Sequence, residues 1–143
     1  MKKINLFVYG SLREGFFNYD KYLAGKVVEK KDAILENMRL YHMPYKGYPA
    51  ITPGNDKVLG EIMVINEEEY DETVKDMDEM EGFISENNPE NEYHKIVLEV
   101  NNLQTNEKEK CFVYFYNKDK DKVFDSESVY IPNGDWKEYM LTK

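Results

Sequence analysis

"LFVYGSLREG", residues 6–15, decides how the chain is read. An apolar run from Ile4 to Tyr9 breaks at Gly10-Ser11 and turns polar within one residue. A strand needs no glycine merely to stop. A glycine followed by a small residue lets the backbone turn sharply and leaves its N–H groups uncovered, as a loop that meets a ligand requires.

At 143 residues the chain is read as one domain, 1–143, large enough to bury roughly two thirds of its unfolded surface. Apolar content of 41% with 14% aromatic residues supports a packed core rather than disorder. Nineteen basic against 28 acidic residues leave a net charge of −9. That sign is wrong for nucleic acid or an anionic membrane, so neither is expected as a partner. Cys111 is the sole cysteine and cannot form an internal disulfide, and two histidines cannot build an ordinary zinc site alone. No metal and no other cofactor is expected. Met1-Lys2-Lys3 resembles a secretory start for three residues only, and the six apolar residues behind it are too few for a signal or a membrane span. A cytoplasmic location is expected.

Working outward, Ile4–Tyr9 reads as a buried strand. Asn18–Ala24 reads as a short helix, with Asn18 as cap and Gly25 as stop. Val27–Met43 is extended in character and ends at Pro44. "PYKGYPAITPG" (44–54), with its three prolines, reads as an irregular surface loop, and Val58–Ile65 as the next strand. Asn66 opens the clearest helix: it is a good cap, Glu69 stands three residues on as in a capping box, and Gly82 sits where a left-handed terminator belongs. "SENNPENE" (85–92) is a polar loop. Tyr93–Val100 and Lys110–Asn117 alternate and predict an antiparallel hairpin. Asn133-Gly134 marks a turn, after which Asp135 caps a last short helix through Trp136 and Tyr139.

On a helical wheel of about 100° per residue, Tyr70, Val74 and Met77 define the buried stripe of the 66–82 helix. Glu81 falls among them, whereas Glu72, Asp76 and Glu79 lie on the far side. An unpaired charge on a packing face is costly. Either the helix end frays and Glu81 curls into water, or its carboxylate points into a pocket where desolvation raises its proton affinity and fits it for acid–base work near neutral pH. The wheel leaves both open.

Other chemistry is thin. "DMDEME" (76–81) fails as a calcium loop, because the glycine position is Glu81. Ser11 lacks the Gly-x-Ser-x-Gly of a nucleophile elbow. Cys111 shares a strand face with Val113 and Phe115 and reads as a core thiol; His94 reads as structural or exposed. Tyr114 and Tyr116 face the other way, toward either a barrel lining or a ligand.

Taken together, "FVYGSLREG", "MDEMEG" closing an acidic helix, a Tyr-x-Lys opening the next strand and "NGDW" near the C-terminus carry a family resemblance. The chain resembles the gamma-glutamylcyclotransferase-like family, particularly its small bacterial members and the gamma-glutamylamine cyclotransferases, from Phe7 to Trp136. The resemblance implies an α+β fold, a small mixed β-barrel with flanking helices. It implies that Tyr9, Gly10, Ser11 and Leu12 bind the γ-glutamyl group, that Tyr93 joins them, and that Glu81 is the acid/base. It also implies the reaction: a γ-glutamyl amine or amino acid closes to 5-oxoproline and releases the free amine. Lys95 stands where the family usually has arginine. The alternatives are a non-enzymatic small-molecule binding module on the same fold, or a related amide hydrolysis or transfer.

Overall fold

A computed structural model describes residues 4–142. The Met1-Lys2-Lys3 start lies outside the described residues. The elements in chain order are β1 (Asn5–Val8), a π-helical turn (Tyr19–Leu23), β2 (Val27–Met43), β3 (Tyr48–Ile65), a 3-10 turn (Glu67–Glu69), α1 (Tyr70–Met80), β4 (Tyr93–Asn102), β5 (Lys108–Tyr116), a second 3-10 turn (Lys118–Lys120), α2 (Phe124–Glu127), β6 (Val129–Ile131) and α3 (Trp136–Thr142).

The strands run in the order β3-β1-β5-β4-β2, and β2 pairs back onto β3, so the sheet closes on itself. The β1–β5 pair is parallel and the other pairs are antiparallel, which makes a mixed five-stranded barrel; β6 extends it along the far half of β2. Closure satisfies strand edges that would otherwise be open to pairing.

β1 is buried on both sides, which accounts for its unbroken apolar run. Leu6 and Val8 pack with Tyr70, Val74 and Met77 of α1. Phe7 and Tyr9 turn the other way, to Ile62, Val100, Cys111 and Val113, where Trp136 of α3 joins them. Cys111 is fully buried, and desolvation pushes its thiol up to about 12. It is a core residue, as its neighbours on the strand predict. Tyr114 and Tyr116 belong to the cluster of the opposite face.

Three expectations need correction. Segment 44–54 is not one irregular loop: only residues 44–47 turn, and Tyr48 already begins β3. Over 48–53 β3 pairs with β2 alone among the described residues, and β1 joins only at Glu61–Met63. A strand paired on one side tolerates proline, and the burial of Ala50 and Ile51 outweighs the turn signal. The helix expected over Asn18–Ala24 is shorter and π-wound, and the Asn18 side chain caps nothing there; its amide donates to Ser11 Oγ instead, at 2.7 Å. Gly25 does stop it, at φ +80°. At the next helix Asn66 accepts from the Glu68 N–H at 3.0 Å, but the capping box is not closed, because the Asn66 N–H donates to Lys26 O at 2.8 Å.

The 93–117 hairpin forms with longer strands than expected, and Asp135 caps α3 through the Glu138 N–H at 3.1 Å. Gly134 tolerates nothing larger: its φ is +70°, and a Cβ there would stand 1.9 Å from Lys57 O. Gly134→Ala therefore adds left-handed strain to a backbone clash, and we expect a loss of about 2–4 kcal/mol, read from urea unfolding midpoints at unchanged slope. An unshifted midpoint would show that the turn relaxes freely.

No helix among the described residues is long and apolar enough to cross a membrane.

Candidate active site

The last turn of α1 is built to stop sharply. Gly82 adopts φ +70°, its N–H donates to Glu79 O (3.2 Å), and the Phe83 N–H donates to Asp78 O (2.9 Å). This is a Schellman ending. It places Glu81 as the last residue before the reversal, and both backbone groups of Glu81 are used: its N–H by Met77 O at 2.9 Å, its carbonyl by the Tyr93 N–H at 3.2 Å. The following residues clip as well, Glu92 N–H to Gly82 O at 3.0 Å. A residue held at both backbone groups does not fray, so the structure favours the pocket over the frayed end.

The second wall is the loop after β1. Gly10 is not among the glycines with positive φ. Its missing side chain makes room instead for the Pro49 ring, since a Cβ would come within 2.3 Å of Pro49 Cγ. The sharp turn read from sequence is thus a close approach. Arg13 N–H donates to Gly10 O (2.9 Å) and Tyr19 N–H to Ser11 O (3.1 Å), which folds the loop over. Arg13 then anchors it, lying 3.5 Å from the buried Glu61 carboxylate and 3.1 Å from Asp135. Among the described residues, no turn or side-chain bond consumes the N–H groups of Gly10, Ser11 or Leu12. Leu12 sends its side chain into the core and offers the cleft its backbone.

Between these walls lies a narrow cleft with about 490 Å3 of empty space, counted out to its mouth. Tyr9, Gly10, Ser11, Leu12, Glu81 and Tyr93, the residues singled out from sequence, all line it. Tyr48, Pro49, Met80, Glu92 and Tyr114 line it too. No lysine or arginine is among the lining residues.

The Glu81 carboxyl makes no hydrogen bond or ion pair among the described residues. It is half-buried by surface area because the cleft itself reaches it, yet protein surrounds it closely. Its pKa is pushed up to about 8, first by desolvation and then by the nearby charges of Glu92 and Asp78. The negative end of the α1 dipole acts in the same direction. Tyr9 and Tyr93 are held as neutral phenols, chiefly by burial with Glu81 adding to it. Their hydroxyls are fixed: Tyr9 donates to Tyr114 O at 2.6 Å and Tyr93 to Pro49 O at 2.6 Å.

Two neighbours escaped the sequence reading. Asp78 accepts from Tyr114 Oη at 2.5 Å and from Lys95 Nζ at 3.0 Å. It falls about 80° round the wheel from Tyr70, at the edge of the stripe, and that position was the available signal. Lys95 does not line the cleft; it supports Asp78 and lies over the rings of Phe83 and Phe112. Glu92 came from a polar loop without periodicity, and only the clip to Gly82 brings it in.

The family model described as gamma-glutamyl cyclotransferase, AIG2-like, matches residues 6–138. The chain belongs to that family. Within it, the chain is similar to the gamma-L-glutamyl-butirosin B gamma-glutamyl cyclotransferase of Niallia circulans, at 29% identity over 96% of this chain and 78% of that protein. Two solved structures share the cyclotransferase fold. An uncharacterised protein of Pyrococcus horikoshii has a TM-score of 0.61 at 23% identity, covering 98% of this chain and 95% of its own. The AIG2-like protein of Mus musculus has a TM-score of 0.58 at 22% identity, over 78% and 76%. At those identities the structural likeness speaks for the fold. Family membership and the Niallia relative make this chain an enzyme of the gamma-glutamyl cyclotransferase kind.

Proposed function

We propose that the cleft converts a γ-glutamyl amine or amino acid to 5-oxoproline and the free amine, with Glu81 as the general acid/base. The supporting observation is a carboxyl with no partner, raised to about 8, on the wall opposite the uncovered N–H groups of Gly10–Leu12. Those N–H groups, with Ser11, receive the α-carboxylate or the oxygen of the γ-carbonyl. Tyr9 and Tyr93 shape the walls that fold the glutamyl chain into a cyclic pose.

Glu81 takes a proton from the α-ammonium, and the freed nitrogen attacks the γ-carbonyl of the same molecule. The new C–N bond closes a five-membered lactam. Glu81 passes its proton to the departing nitrogen as the old amide C–N bond breaks. It then takes the second proton that the ring nitrogen sheds and hands it to the freed amine, which leaves as an ammonium. The α-ammonium of a γ-glutamyl unit, beside its own free carboxylate, titrates above the ~8 of a peptide α-amino group. A carboxyl raised to about 8 comes far closer to it in proton affinity than an ordinary glutamate, as general acid–base catalysis requires. Nucleophile and electrophile share one molecule, and well-oriented reactions of this kind reach effective molarities of ~10⁵–10⁸ M. No step calls for a metal.

The test is a panel of γ-glutamyl amino acids and γ-glutamyl amines incubated with the folded protein. We expect 5-oxoproline from at least one, at a rate unchanged by chelator. Silence across the panel would transfer the cleft to a binding role, and glutamate in place of 5-oxoproline would make the reaction a hydrolysis.

A further inference from the structure

Asn18 touches both walls of the cleft without lining it. Its side-chain amide lies 2.7 Å from Ser11 Oγ on the loop after β1 and 4.0 Å from Met80 Sδ at the end of α1. Ser11 and Met80 both line the cleft, whereas Asn18 stands behind them, 8% exposed. A thioether sulfur accepts weakly and donates nothing. The amide nitrogen, and not the carbonyl oxygen, is therefore the end that fits between these two atoms. The backbone holds it there. The Tyr19 N–H donates to Ser11 O at 3.1 Å, and the Ala24 N–H donates to Tyr19 O at 2.9 Å to close the π-helical turn. Loop and turn are bonded twice, once through main chain and once through side chains.

The direction of the side-chain bond decides what Ser11 can do. A serine hydroxyl has one hydrogen and two lone pairs. An Asn18 N–H occupies one lone pair, so the hydroxyl is the acceptor in that bond and its own hydrogen is left over. No acceptor among the described residues takes that hydrogen. The uncovered N–H groups of Gly10, Ser11 and Leu12 belong to the same loop, and the hydroxyl adds one donor to them. A hydroxyl that already accepts a hydrogen bond is also the stronger donor, because chained hydrogen bonds polarise one another.

We propose that Asn18 is a positioning residue: by donating to Ser11 Oγ it turns the Ser11 hydroxyl hydrogen into the cleft, to bond an oxygen of the substrate held by the loop. Its part in turnover rests on the cyclotransferase reading of the cleft; the direction of the bond does not.

The direction is read first, by NMR and without substrate. One Asn18 side-chain amide proton should exchange slowly with solvent, and in Ser11→Ala its signal should shift and its exchange quicken. Asn18 amide signals identical in wild type and Ser11→Ala would overturn the bond. The consequence is read by titration with 5-oxoproline, which carries a carboxylate and a lactam carbonyl. Ser11→Ala should weaken binding about tenfold, the effect of one hydrogen bond to a charged group. Asn18→Leu removes the amide donor at similar size and should cost about fivefold, because the hydroxyl then turns freely. Asn18→Asp keeps the shape but offers only acceptors, draws the hydroxyl hydrogen away from the cleft, and should cost more than Asn18→Leu. Both Asn18 changes are repeated in Ser11→Ala, where no hydroxyl remains to be aimed. There Asn18→Leu should cost nothing further, and Asn18→Asp only the repulsion of its charge, which acts with or without Ser11. A merely structural Asn18 would weaken binding by the same factor in both backgrounds, and that equality would overturn the proposal. The same cycle should hold in kcat/KM for a γ-glutamyl compound that yields lactam. With the amide signals as expected, 5-oxoproline unbound by wild type, or no lactam from any γ-glutamyl compound, would support the Asn18 bond and count against the cyclotransferase reading instead.

Discussion

Glu81→Gln should be a folded, inactive protein. Glutamine keeps the shape and the polarity of the side chain but cannot accept the α-ammonium proton, so turnover should fall by at least ~10²-fold, the low end for a lost general base. The backbone bonds of Glu81 to Met77 and Tyr93 survive the change, and so does the Schellman ending around Gly82. Stability should hold or rise, because a neutral amide carries less burial cost than a carboxylate without a partner.

The pH dependence of that stability has a fixed sign. An unfolded glutamate titrates at 4.5 and Glu81 in the folded chain at about 8. Between those values the native state holds a proton that the unfolded state has released, so this group's contribution to stability falls as pH rises through the window. Glu81→Gln lacks the effect. Its melting temperature should match wild type below pH 4.5 and exceed it increasingly up to pH 8. Full activity in the variant, or a melting difference that does not change with pH, would contradict the assignment.

Gly10→Ala should have the second largest effect, and for a different reason. The new methyl would lie 2.3 Å from Pro49 Cγ, so the loop and the first residues of β3 must separate. Pro49 has little freedom to yield, since its carbonyl accepts the Tyr93 hydroxyl and its strand is paired with β2. Separation therefore moves the Gly10–Leu12 backbone away from Glu81. Misplacement of about 1 Å costs on the order of 10²-fold in rate where catalysis depends on pose. Overpacking adds a loss of about 1–3 kcal/mol in stability. Substrate turnover and urea unfolding on one sample check both, and unchanged kinetics would show that the loop does not position the glutamyl unit.

The parts of the fold that were legible in sequence are those where one local rule acts alone. The α1 stripe follows from its period, Gly82 from the left-handed cap, and the β1 run from burial on both faces. The same period exposed Glu81 as the wrong residue on a packing face. Where two rules compete, sequence favoured the louder one. Three prolines in 44–54 signal a loop, but only Pro44 lies in the turn; a strand paired on one side admits Pro49 and Pro53, and Ala50 and Ile51 are buried there. Asn18 has the chemistry of a helix cap, yet Ser11 Oγ lies within 2.7 Å and takes its amide. Glu92 and its ion-pair partner Lys46 were invisible for a plainer reason. They are 46 residues apart and meet only through closure of the barrel, which no local pattern encodes.

In this reading α1 ends by holding a desolvated carboxyl in the cleft, ready to exchange a proton near neutral pH. Titration of the Glu81 carboxyl carbon by 13C NMR, assigned by its disappearance in Glu81→Gln, tests this most directly. The midpoint should lie near 8. A midpoint near 4.5, the value of an ordinary solvated glutamate, would contradict it.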